Sequence, residues 1–397
     1  MISSIRKAFN ADFSEEKYQE FLSRLTREYN YTIPFRVAES PIFIPKALSG
    51  RIHEATESIV DVLVRPDFKA LSESAIPDAV RVPNETDKTL FLAIDFAVCR
   101  DEAGELTPQL IELQGCPSLY YYQPWLADRF REMYPAIPDS YSHFLGGMDN
   151  DSYYKLLEKE ILAGHDPDEV ILLEIDPPRQ NTYIDFLCTQ AKIGVRPVCI
   201  SDVQRNGDNL FYRRGSKNVP IKRIYNRLIF DEYLQRPDIR GQWEPTEEAN
   251  VEWAGHPNWF FRISKHTMPR LKSPYVPETS FLNELKEIPA DLENYVLKPL
   301  FSFSGSGVVF NVTQADIDAV KQPHEYILQR KVSYAPVIDT PDIPAKCEIR
   351  ILYVWPPEAA RPIPVINLVR LSKGVMIGVK YNMEKKWVGG AVGFFEP

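Results

Sequence analysis

Between Glu169 and Ile200 the chain reads "EVILLEI", then "NTYIDFLCTQAKIG", then "VRPVCI". The first run is short and almost continuously apolar, the pattern of a strand covered on both faces. The second is a helix that stops at Gly194 with Lys192 in its last turn. The third supplies another strand. A strand–helix–strand unit of about thirty residues pairs its strands in parallel and needs cover on the sheet. It therefore commits the middle of the chain to an α/β arrangement.

The flanks follow other periods. From Glu15 to Tyr29, Tyr18, Phe21, Leu22 and Leu25 share one helical face, and a second helix is expected over Gly50 to Leu63. The runs "LFLAIDFAV" and "PQLIELQG", joined by "CRDEAGELT", form a hairpin pattern. After Val312 a capping box pairs Thr313 with Asp316, and "EYILQRKV" returns as a strand. Lys346 to Trp355 and Pro364 to Ser372 read as adjacent strands around "PPEAARP". A chain of 397 residues suggests two or three domains at ~100–200 residues each.

Charge and cysteine usage exclude several functions. A formal charge of -9 argues against a protein whose task is to neutralise a nucleic-acid backbone. "MISSIRKAFN" lacks the apolar core of a secretion signal, and no run approaches the ~20 apolar residues of a membrane span. A soluble cytoplasmic protein without membrane partners is expected. The five cysteines are scattered without CxxC spacing and the six histidines form no HExxH, so structural zinc, a disulfide framework and a histidine-centred metal hydrolase are not expected.

The chemistry concentrates in three places. "YVLKPLFSFSGSGVVF", Tyr295 to Phe310, runs a strand into a Ser/Gly tip and out into a second strand. Such a tip is either a solvent-exposed turn or a cradle that brings backbone N–H groups close to a phosphate, with Lys298 as a compact positive charge. The Walker A pattern is absent. Asp95 interrupts an apolar strand, while Glu112 and Gln114 project from one face of the next, so the three are a candidate oxygen set for magnesium or part of a salt-bridged sheet edge. In "KCEIRIL", Lys346, Glu348 and Arg350 alternate with apolar residues, and Arg370 interrupts "INLVRLS". A half-exposed antiparallel strand accounts for this alternation; so does a site that stabilises a transferring phosphoryl group.

"YVLKPLFSFSGSGV" followed by "YILQRKV" resembles the nucleotide-binding lid and hinge of ATP-grasp ligases, most closely the circularly permuted, glutathionylspermidine synthase-like branch (its synthetase part). "AIDFAV" and "LIELQGCPSL", which here precede the lid, resemble that branch's acidic strand and acidic segment. "RIYNRLIFDEYL" and "WFFRISKHTMPRL" resemble the stretches leading to the lid, and the similarity runs from about Leu90 to the C-terminus.

The resemblance implies an α/β fold of α+β character, circularly permuted, with an ATP-grasp-like core sheet and lid and a Rossmann-like middle domain. The expected division is 1–80 helical, 81–135 metal-binding part of the core sheet, 136–250 Rossmann-like, 251–332 lid and hinge, and 333–397 the rest of the core sheet. It implies ATP and Mg2+ as cofactors. Lys265 and Lys298 would contact phosphates, with Ser302, Ser304, Gly305, Ser306 and Gly307 closing over them and Gln329 and Val332 at the adenine. Asp95, Glu112 and Gln114 would hold the metal, and Arg350 or Arg370 would steady the γ-phosphate. The implied activity joins a small-molecule or peptide carboxylate to an amine through an acyl phosphate.

Two departures stand out: Ala93 where the family has an arginine, and Gln114 where it has asparagine. They keep two other readings open, a nucleotide-binding scaffold without catalysis and an ATP-dependent small-molecule kinase. Cys116 reads as a small buried thiol, and His266 as a lone histidine. "YYY" at Tyr120 to Tyr122 reads as one ring packed inward with two near the surface.

Overall fold

The computed structural model describes the chain apart from residues 302–306, 375–376, 378–381 and 383. Among the described residues the strands form five sheets. The central one is antiparallel, in the order Gly389–Ala391, Ile363–Ser372, Lys346–Val354, Phe91–Arg100, Leu106–Gln114. Its strands come from both sides of the middle segment in sequence, as the resemblance implied. The expected hairpin supplies one edge, and the two adjacent C-terminal strands complete the middle.

The strand–helix–strand unit is present: Val170–Glu174, helix Tyr183–Ile193 and Arg196–Cys199. Its strands lie in a parallel sheet with Arg223–Asn226 and Glu252–Ala254. Gly194 ends the helix at φ 76°, a conformation that glycine adopts without steric cost. A third sheet orders Thr279–Phe281, Tyr326–Arg330, Tyr295–Pro299 and Val309–Phe310, all antiparallel. The segment quoted above thus is a hairpin, and its Ser302 to Ser306 tip lies outside the described residues.

Helix Glu15–Tyr29 is capped by Ser14, whose hydroxyl accepts from the Lys17 amide at 3.2 Å, and it buries Tyr18, Phe21 and Leu25. The second helix begins earlier than expected, at Lys46 rather than Gly50. Gly50 looks like a breaker, yet it sits inside the helix facing open space, and burial of Leu48 and Ile52 holds the first turns. The capping box of Thr313 and Asp316 is formed.

The tyrosine triplet differs from expectation: all three rings are buried. The Tyr120 hydroxyl donates to the Tyr353 carbonyl at 2.7 Å. The Tyr121 and Tyr122 amides both donate to Asp185 Oδ1 at 2.9 Å. Tyr120 packs on Phe91 of the central sheet, Tyr121 on Tyr154, and Tyr122 on Trp125 and Phe35.

Candidate active site

Register builds the charged face of the central sheet. Asp95 lies opposite Glu112 on one neighbouring strand and opposite Arg350 on the other. Glu348 lies opposite Arg370. Side chains of alternate residues share a face, so all five charges meet on one side of strands whose other side packs Leu92, Ile94, Phe96, Ile349 and Ile351 into the core. Asp95, Glu348 and Arg350 are buried, so the half-exposed reading of the Lys346–Val354 strand is corrected. It is central, with a neighbour on each side, and both faces are covered.

The ion pairs are close. Arg350 grips Asp95 with both arms, Nε to Oδ1 at 2.5 Å and Nη2 to Oδ2 at 2.6 Å. Arg370 Nη2 reaches the same Oδ2 at 2.6 Å and pairs with Glu348. Arg350 also donates to Ser118 Oγ at 3.2 Å and lies 3.5 Å from Glu112 Oε1. Tyr334 donates to Glu348 Oε2 at 2.9 Å, and Gln114 Nε2 to Glu112 Oε1 at 3.0 Å.

Burial disfavours the charged form of Asp95, but Arg350 and Arg370 together outweigh it and hold its pKa below the usual range. For Glu348 burial dominates and raises the pKa despite Arg370, with Asp95 and Glu112 adding to the rise.

The lysines arrive from outside this sheet. Lys298, near the end of the Tyr295–Pro299 strand, donates to the Ile111 carbonyl at 3.2 Å. Its neighbours include Glu112, Lys265 and Glu348, and burial lowers its pKa to about 8. Lys265, buried in the short helix Lys265–Arg270, is lowered by burial too, against the pull of Glu112 and Asp231. Both sequence-predicted lysines thus face the acidic strand.

Gln329 is buried in the third sheet between Thr279 and Val296, and among the described residues its Nε2 has no partner. Val332 follows that strand, partly buried. Gly307 has φ 70°, and a Cβ there would meet Pro299 Cγ at 3.2 Å. Ser302, Ser304, Gly305 and Ser306 lie outside the described residues.

Sequence reasoning did not assign Glu348, Tyr334 or Ser118 to the site. Glu348 was readable in its alternation with Lys346 and Arg350, whereas Tyr334 and Ser118 sit in loops with no periodic signal. Ala93 is fully enclosed among apolar side chains, with Gln114 and Leu352 as its cross-strand neighbours. Cys116 is half-buried and burial pushes its thiol up to about 11, while burial lowers His266 to about 4. Neither is poised for catalysis at neutral pH. Among the described residues no group of three or more His, Cys, Asp or Glu is arranged to hold a metal ion. Among them, too, no helix is long and apolar enough to cross a membrane.

No family model matches the chain, and no curated protein does. Among solved structures, a glutathione synthetase-like effector from Globodera pallida, in apo form, superposes with a TM-score of 0.57 at 10% identity, over 97% of this chain and 98% of that one. The chain shares the mixed α/β fold of that glutathione synthetase-like protein.

Proposed function

We propose that the chain is an ATP-dependent carboxylate–amine ligase of the circularly permuted, glutathionylspermidine synthase-like ATP-grasp type. The observation that carries this reading is the convergence of Lys265 and Lys298 on the acidic edge of a sheet that also presents Arg350 and Arg370. The fold shared with a glutathione synthetase-like protein supports it, as does the chain order, with the acidic strands ahead of the lid.

In this reading Lys265 and Lys298 neutralise the phosphates, and the orphaned Gln329 amide offers a donor to the base. The arginines steady the terminal phosphoryl group on its way to the substrate carboxylate. Phosphoryl transfer needs little beyond positioning and charge neutralisation, and a closed lid would keep water from the acyl phosphate. A divalent ion, when bound, would add Lewis-acid neutralisation of the phosphates. Glu112 and Gln114 have oxygens to offer it, whereas those of Asp95 are taken by guanidiniums. The partners are a small-molecule or peptide carboxylate and an amine.

Incubation with ATP, magnesium and a panel of carboxylic acids in hydroxylamine tests the proposal. A hydroxamate that requires Lys298 and Lys265 is expected. ATP turnover without hydroxamate would favour a kinase acting on hydroxyls. Nucleotide binding without turnover would favour a non-catalytic scaffold, the second reading, for which the enclosed Ala93 and the occupied Asp95 speak.

A further inference from the structure

Asp95 occupies the position from which a metal ligand was expected, and its surroundings are those of a different group. A carboxylate offers about four lone-pair sites; three here accept from Arg350 Nε, Arg350 Nη2 and Arg370 Nη2. Strand register sets the pairing with Arg350, because the two residues are Cα partners on the two central strands. The bidentate contact then fixes the guanidinium against the carboxylate. Magnesium demands near-octahedral oxygen at about 2.0–2.1 Å and usually keeps several waters, and prising a buried carboxylate from its arginine costs on the order of 3–5 kcal/mol. Around Asp95, the remaining carboxylates Glu112 and Glu348 are themselves within ion-pair reach of Arg350 and Arg370.

Among the described residues, Arg370 Nε on this face is buried without a hydrogen-bond partner. Glu112 draws Lys265 and Lys298 toward the same face, so four cationic side chains share it with Asp95, Glu112 and Glu348.

We propose that Asp95 is a positioning residue that holds Arg350 and Arg370, not a magnesium ligand, and that these two guanidiniums carry the terminal charge of a bound nucleoside triphosphate. The proposal rests on the nucleotide reading above. Any metal that enters with the phosphates then has Glu112 and Gln114 as protein ligands and contributes little to affinity.

The test is titration of the full chain with the non-hydrolysable analogue AMP-PNP, with magnesium or with EDTA. It is paired with urea unfolding of the ligand-free wild type, Asp95→Asn and Glu112→Gln in EDTA. The expected dissociation constant in EDTA lies within about threefold of that with magnesium, and Arg370→Leu, at a half-exposed position, weakens binding about tenfold or more. Asp95→Asn should lose stability without any ligand, since it takes the bidentate counter-charge from Arg350 and leaves Arg370 with Glu348 alone, whereas Glu112→Gln, which touches Arg350 only at 3.5 Å, should lose less. A vacant metal cluster would respond in the opposite sense, because neutralising one of several crowded carboxylates relieves repulsion.

Wild-type binding that tightens more than about tenfold with magnesium, or an Asp95→Asn chain as stable as the wild type in EDTA, overturns the proposal and leaves the nucleotide reading standing. No AMP-PNP binding in either buffer overturns both. Should Asp95→Asn fail to fold, the wild-type and Arg370→Leu titrations still decide.

Discussion

Lys298 gives the site a pH dependence whose size can be worked out. Burial lowers its pKa to about 8, against about 10.4 for an unperturbed lysine. If only the ammonium form receives a phosphate, the competent fraction is about 90% at pH 7 and about 10% at pH 9, and apparent affinity scales with that fraction. ADP affinity should therefore fall about tenfold over those two pH units, about 1.4 kcal/mol. Calorimetric titration of ADP from pH 6.5 to 9.5 measures it. Lys298→Arg, which stays charged throughout, should flatten the profile, and Lys298→Ala should start weak and stay weak. A wild-type profile that is flat between pH 7 and 9 would refute the argument, because it would mean that this ammonium does not meet the phosphates.

The ligand-free protein should show the linked effect. Between about 8 and 10.4 the unfolded chain holds a proton on Lys298 that the folded chain has released. Stability from this group therefore rises with pH across the window, and Lys298→Ala removes the rise.

Glu174 should behave oppositely. Burial raises its pKa to about 8, so from about 4.3 upward the folded chain keeps a proton that the unfolded chain loses, and stability falls as pH rises to 8. Glu174→Gln should match the wild type near pH 5 and exceed it above pH 8 in urea unfolding; equal pH slopes would count against it. Asp185→Asn should destabilise by about 3–5 kcal/mol, since it leaves the buried Arg227, now bonded to Asp185 at 2.6 Å, without its counter-charge. A loss below about 1 kcal/mol, the scale of an exposed ion pair, would show that Arg227 finds water.

The elements that sequence reading recovered are those written in local periods. The parallel unit from Val170 to Cys199, the hairpin from Phe91 to Gln114 and the capping box at Thr313 each depend on contacts within a few dozen residues. The failures were also physical. Gly50 reads as a helix boundary, yet burial on the far side of the helix outweighs the propensity cost of one glycine. The tyrosine triplet reads as one ring inward and two near the surface, because nothing in three adjacent aromatics shows that Asp185 and the Tyr353 carbonyl will receive them.

The same division holds at the site. Sequence patterning alone singled out Asp95, Glu112, Gln114, Lys298, Arg350 and Arg370, because a charged or amide side chain in an apolar strand or beside a Ser/Gly turn has to be explained, whereas Lys265 rests on the family resemblance of "WFFRISKHTMPRL". Patterning also established which of them share a face, since alternation along a strand is a local property. Which charge meets which was decided only by the tertiary structure. Asp95 and Arg350 are separated by 255 residues, and their pairing follows from strand order and register, which the summed burial of the whole sheet selects. That register turned a carboxylate that looks like a metal ligand into one already held by two arginines.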